Sequence, residues 1–216
     1  LVADANPNLK GKILVTGFEP FQAMTRNPSR EIALELNGQI INDYLICGAE
    51  LPVDCDTMPA LLYGLLEETK PVAIISLGLA AGRNAISLEW VGVNLMDWNI
   101  TDNAGHIKHD TPIISDGPAA YLASLPLRSI QRTLANAEIP CYLSASAGLY
   151  LCNQALYLAA HYAATQQPDL LTGFIHLPCL PEMILSSEAA KTPSMSYNLQ
   201  LKAIQLAIVA TIGALD

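Results

Sequence analysis

Short β-branched runs that alternate with stretches of helical apolar spacing constrain this chain more than any other feature. KILVTGF (12–18) closes on Gly and Phe before a proline, and a helical pattern follows from Pro28 through Leu36 with Asn27 in place as its N-cap. Leu45 to Leu51 reads as a second strand and Met58 to Glu68 as a helix. PVAIISLG (71–78) is an unbroken apolar run, the pattern of a parallel strand covered on both faces. After a polar interval the alternation resumes with a helix from Leu127 to Ala137, the strand IPCYLSA (139–145), a helix carrying Cys152, the strand LTGFIHL (171–177) and a last helix from Tyr197 to Ile212. This interleaving predicts an α/β fold: a single three-layer α/β/α domain over residues 1–216 with a mostly parallel, partly mixed central sheet. Residues 1–11 read as an irregular N-terminal extension.

The interval itself behaves differently. SLEWVGVNLMD (87–97) alternates weakly and leads into NITDNAGHIKHDTPIISDGPAA (99–120), which reads as turns and a hairpin inserted into the α/β pattern. With 51% hydrophobic and 14% charged residues the chain has ample material for a packed core. Its formal charge of -9, without any Lys/Arg cluster, excludes the electrostatic footprint of a nucleic-acid binder. The five cysteines are scattered, with no CxxC pair for metal or redox work, and read as reduced thiols of a cytoplasmic protein. The apolar stretch 150–164 is interrupted by Asn153, Gln154 and His161, and 203–215 is shorter than the ~20 residues of a span, so no membrane partner is expected. The start LVADANPN has no basic segment followed by an apolar one, so no signal peptide is expected.

In open α/β sheets ligands bind beyond the carboxyl ends of the strands. The exits of KILVTGF, VAIISLG, IPCYLSA and TGFIHL carry Phe18, Phe21, Arg83, Cys152 and His176, and are expected to meet at one rim. Cys152 follows Gly148 by four residues and so falls in the first turn of its helix, where unpaired N–H groups and the macrodipole favour a thiolate. His176 closes a buried strand and is a candidate base; Glu89, in the apolar context SLEWVGVN, needs a partner if buried and is a candidate to orient that imidazole. Each has a plain structural alternative: a packed thiol, a satisfied core histidine, a solvated carboxylate at a strand edge. Ser144-Ala145-Ser146-Ala147-Gly148 differs from the GxSxG nucleophile elbow only in its first residue, which leaves a Ser146-based hydrolase as a rival reading.

GFEPF with Asn27-Pro28-Ser29, then GLAAGR (78–83), Glu89 with Val91 and Asn94, DGPAAY (116–121), SAGLYLCN (146–153) and GFIHLP (173–178) with Pro181-Glu182 together resemble the pyroglutamyl peptidase I family of cysteine peptidases. The likeness runs in order from about Lys12 to Glu182. It implies removal of N-terminal pyroglutamyl residues from peptides, with no cofactor and no metal, by a cytoplasmic homo-oligomer, dimer or tetramer. By matching motif it makes Cys152 the nucleophile, His176 the base and then the acid, and Glu89 the third member of a triad. It puts Phe21 and Tyr150 on either side of the flat lactam, with Phe18 and Asn27 supporting that loop and Leu79 lining the site. Backbone N–H groups around Cys152, with Arg83, are expected to hold the oxyanion. Gln22, Leu79, Trp90 and Tyr150 depart from the residues usual in the family, so a shifted acyl preference or a catalytically weak or silent homologue is the alternative.

Overall fold

The first βα unit forms where the apolar pattern puts it. Strand β1 (Gly11–Phe18) leads to helix α1 (Pro28–Leu36). Asn27 caps that helix, its Oδ1 accepting from the Ser29 N–H at 3.1 Å and from the Ser29 hydroxyl at 2.7 Å, and Pro28 takes a first-turn position where a missing N–H costs nothing. The structure, a computed structural model, describes residues 9–186 and 189–215. Residues 1–8 of the expected extension lie outside the described residues, and β1 already begins at Gly11.

The remaining elements are β2 (Ile40–Ile41), β3 (Tyr44–Leu51), α2 (Met58–Thr69), β4 (Ala73–Leu79), β5 (Ile86–Glu89), β6 (Val91–Val93), β7 (Ala120–Leu122), α3 (Leu127–Asn136), β8 (Cys141–Ser144), α4 (Leu151–Gln166), β9 (Leu171–Leu177) and α5 (Tyr197–Ile212). Seven strands form one sheet in the order β2-β3-β1-β4-β9-β5-β8. β3, β1, β4 and β9 are parallel; β5 pairs antiparallel with β9, and β8 follows β5 in parallel. The fold is therefore the expected α/β arrangement with a mixed sheet. The rim differs from expectation. β1, β4 and β9 end on the same side, but β8 runs the other way, because it pairs with the reversed β5, and residues 145–150 bring the chain back to the start of α4. An apolar run encodes burial and not strand direction, so the reversal has no signature in the residues themselves.

Helix α1 lies against β1 and β3 at close range. A Cβ on Gly48 would fall 1.8 Å from the Ala33 carbonyl oxygen, and one on Gly17 would fall 2.0 Å from that of Ser29. α3 packs on α5, while α4 packs on β9 and β4 and against α2 on the opposite face. Ile13, Val15, Ile75, Leu88 and Ile175 have no exposed surface and sit within one continuous hydrophobic cluster. The inserted segment is mostly turns; it holds one antiparallel bridge, Met96 with Thr111, and returns as β7 to pair with β6 in a separate two-stranded ribbon. Among the described residues, no helix is long and apolar enough to cross a membrane.

Gly48→Ala is expected to destabilise the protein by about 3 kcal/mol or more, because the methyl group meets backbone and not a movable side chain. Urea denaturation followed by circular dichroism measures it; a change below about 1 kcal/mol would contradict the contact.

Candidate active site

Three strand ends and one helix start assemble the site. In the β4–β9 register Gly78 stands opposite His176, so the space a side chain at 78 would fill adjoins the imidazole on the same face of the sheet. Cys152 uses that space: its Sγ lies 2.8 Å from where a Gly78 Cβ would be. Glycine at 78 is thus what lets the sulfur settle onto the sheet beside His176. No direct hydrogen bond joins Cys152 to His176, and a thiol–imidazole pair of this kind can tighten during reaction. Glu89 ends β5 opposite Phe174, one diagonal step from His176, and its Oε1 meets His176 Nδ1 at 2.7 Å.

The charge states follow from burial. Glu89 is wholly buried, which works against its charge, but His176, Ser144 and Arg83 outweigh that and hold its carboxyl below the usual carboxylate range. Facing a carboxylate, Nδ1 of His176 carries the proton, and Nε2 is left as the acceptor. Burial depresses the His176 pKa, with Glu89 opposing, so the resting imidazole is neutral. Cys152 departs from the sequence expectation. Burial first, and then the negative charge of Glu89, push its thiol up to about 12, although Arg83 and its own backbone N–H pull the other way. The helix does begin at Leu151, so Cys152 sits in its first turn, but the field of a helix end does not offset the loss of water around this half-buried residue.

Arg83 also differs from expectation. Its Nη1 bonds Glu89 Oε1 at 2.5 Å and its Nη2 bonds the Ser146 carbonyl at 3.1 Å, so both ends of the guanidinium are committed to the carboxylate and to the loop before α4. No side chain caps α4, whose first N–H groups therefore stay available beside the sulfur. The Ser146 hydroxyl accepts from the Gly148 N–H at 3.1 Å, an ordinary turn contact.

Phe18, Phe21, Asn27, Leu79, Tyr150 and Cys152 line one pocket, together with Val53 and Leu151, which the sequence reading did not single out. The rings of Phe21 and Tyr150 are 6.2 Å apart and inclined by 40°. Tyr150 is fixed from behind by the edge of Trp98, with centroids 4.9 Å apart, and its hydroxyl donates to the Thr101 carbonyl at 3.3 Å. Glu19 ties the pocket loops together, its Oε1 accepting from the Val53 N–H at 2.9 Å and from Asn103 Nδ2 at 2.8 Å. The insertion is thus a wall of the pocket. Asn153, quoted in a motif but given no role, anchors the neighbouring strand: its amide bonds the N–H and C=O of Val93 and the C=O of Leu95. Gln22 has φ 55°, a left-handed conformation that glycine adopts without strain. Trp90 lies outside the pocket, with the Arg128 guanidinium 5.8 Å above its ring.

Asp54, Cys55, Asp102 and His106 bring their donor atoms within 4.8 Å of one another behind this wall. Asp102 is already spent on the backbone N–H groups of Cys55, Ala104 and His106, and burial first, then the neighbouring Asp102 and Asp56, push the Cys55 thiol up to about 12. The cluster braces two loops.

Comparison with known proteins places this geometry. A sequence profile described as pyroglutamyl peptidase matches residues 11–214. The pyrrolidone-carboxylate peptidase of Pyrococcus furiosus is 43% identical over 206 residues, covering 94% of this chain and 99% of that one. That of Thermococcus litoralis is 38% identical over 208 residues, covering 95% and 94%. A crystal structure of the pyrrolidone carboxyl peptidase from P. furiosus superposes with a TM-score of 0.92 at 42% identity, covering 95% of this chain and all of that one. The chain belongs to the pyroglutamyl peptidase family.

Proposed function

We propose that this protein is a cysteine-type pyroglutamyl peptidase in which Cys152 is the nucleophile, His176 the proton carrier and Glu89 the group that orients it. The observation that carries the assignment is the sulfur of Cys152 seated over Gly78, the in-register neighbour of His176. With thiol and imidazole both neutral at rest, ionisation belongs to the reaction. As the substrate docks, the Cys152 proton passes to His176 Nε2 and Sγ attacks the pyroglutamyl carbonyl carbon. The carbonyl oxygen takes the negative charge and is held by N–H groups of the first turn of α4. The imidazolium, balanced by Glu89, gives its proton to the leaving amine as the C–N bond breaks. His176 then takes a proton from water, whose oxygen attacks the thioester, and the released thiolate is reprotonated.

Phe21 and Tyr150 are proposed as the walls for the lactam ring, with Phe18, Leu79 and Val53 as its apolar surround and Asn27 at the polar edge. Asn27 is largely spent as a helix cap and as a donor to the Glu19 carbonyl, which supports a fixed position rather than a free one. Arg83 serves the triad by fixing Glu89 and the Ser146 carbonyl. Among the described residues no imidazole or carboxylate hydrogen-bonds the Ser146 hydroxyl, and the serine hydrolase reading is not favoured. We extend the proposal to a single domain over 1–216 acting on pyroglutamyl peptides as a cytoplasmic homo-oligomer. Five free cysteines support a reducing compartment, and Leu122, 70% exposed on β7, supports contact between copies.

Release of the fluorophore from pyroglutamyl-7-amido-4-methylcoumarin tests the assignment. Cys152→Ser is expected to lower kcat by at least 10³-fold, since a hydroxyl is a far weaker nucleophile at this pH, while Ser146→Ala stays within a few-fold of the parent; the reverse pattern would establish the serine reading. The pH profile is a second check. Burial lowers the His176 pKa, so the base form survives acidification past the ordinary value, and the acid limb of kcat/KM is expected to have its midpoint below about 6.5. Glu89→Gln removes the interaction that opposes this depression. The limb should then move further down while kcat falls about a hundredfold or more. An acid limb centred above pH 7 in the parent enzyme would contradict the neutral resting pair.

A further inference from the structure

We infer that Ser144 is a positioning residue of the triad, its hydroxyl donating to the second oxygen of Glu89 when His176 takes up the thiol proton. The inference deepens the peptidase reading above and rests on it. Its starting point is an imbalance at Glu89. Oε1 receives both His176 Nδ1, at 2.7 Å, and Arg83 Nη1, at 2.5 Å, whereas Oε2 is buried and has no hydrogen-bond partner. A buried carboxylate oxygen without a donor is costly and is rarely left so in a functioning site.

The groups that face Glu89 come from four elements: His176 on β9, Arg83 from the β4–β5 loop, Ser144 on β8, and Cys152 on α4 acting through space. Arg83 and His176 already serve Oε1, and the Cys152 proton is the one the reaction moves. Ser144 remains. It is the in-register partner of Glu89 across the parallel β5–β8 pair, so the two side chains leave the sheet on the same face, and it is buried.

Its present bond is expendable. The Ser144 hydroxyl donates to the Ser146 carbonyl at 3.2 Å, and that carbonyl also receives Arg83 Nη2 at 3.1 Å. The carbonyl keeps a charged donor if the serine side chain turns toward Oε2, and the hydroxyl proton is free to follow the new acceptor. Ser144 also counts among the groups that favour the ionised form of Glu89. The moment of need is the one at which His176 becomes positive. A carboxylate held through a single oxygen can swing about its own axis, while a donor on each oxygen fixes its plane toward the imidazole. Because the bond forms with the imidazolium, it favours proton uptake by His176, and removing it makes the Glu89–His176 pair bind a proton less readily.

The test compares the parent protein with Ser144→Ala and Ser144→Thr on pyroglutamyl-7-amido-4-methylcoumarin, with thermal melting as a fold check. Ser144→Ala is expected to lower kcat about tenfold with KM within about twofold, and to lower the acid limb of kcat/KM by about one pH unit, the scale of one hydrogen bond to a charge. Ser144→Thr, which keeps the hydroxyl, should restore most of both. If the alanine variant does not fold, the near-isosteric Ser144→Cys, a weak donor, takes its place with an intermediate shift. An active parent with an unchanged kcat and acid limb in Ser144→Ala overturns the inference, as does a loss of activity without a shift of the limb that threonine fails to restore. An inactive parent overturns the peptidase reading instead. The inference is then decided by NMR titration of His176 in the resting protein, where Ser144→Ala lowers the imidazole pKa by about one unit if the link exists and leaves it unmoved if it does not.

Discussion

The site is organised around one expensive requirement, a fully buried carboxylate that stays ionised. Glu89 has no exposed surface, and a charge in that position persists only if donors surround it. Much of the local architecture supplies them. β5 runs against β9 so that Glu89 falls diagonal to His176; the β4–β5 loop returns Arg83 over the same carboxylate; β8 sets Ser144 in register with it. The arginine reaches on to the Ser146 carbonyl and so ties the carboxylate to the loop that delivers α4 and the sulfur. A charge network of this kind is a poor source of stability but a good source of a unique geometry.

The periodicity made the larger elements readable because helices and buried strands impose it directly. The helix Pro28–Leu36 and the strand Leu171–Leu177 fall on the expected residues, the first fixed by the Asn27 cap and the Pro28 start, the second by a short run buried from Thr172 to Leu177. The two-residue strand β2 and the ribbon strand β7 are too short to have a period, and β7 is exposed on alternate residues, so neither announces itself. The reversal of β5 and β8 is a property of pairing between distant segments, and no single run of residues carries it.

The site was legible in a different way. A thiol at a helix start, an imidazole at a strand end and an acid in an apolar context are local facts that make Cys152, His176 and Glu89 candidates, and the family resemblance gives them roles; the pocket also gathers Phe18, Phe21, Asn27, Leu79 and Tyr150. What failed was anything that depends on water content. The helix start argued for an ionised sulfur, yet desolvation wins, because Sγ is pressed onto the sheet at Gly78. Arg83, expected to help hold the oxyanion, instead bonds Glu89 and the Ser146 carbonyl through Nη1 and Nη2. Val53 and Asn153 went unremarked because their importance lies in partners far along the chain, Glu19 for the one and Val93 and Leu95 for the other.

The protonated resting sulfur has a consequence beyond turnover. Peroxide and disulfides react with the anionic form of cysteine, so a sulfur held protonated is a poor target for them. The close seat over Gly78 thereby doubles as a chemical safeguard for the half-buried thiol.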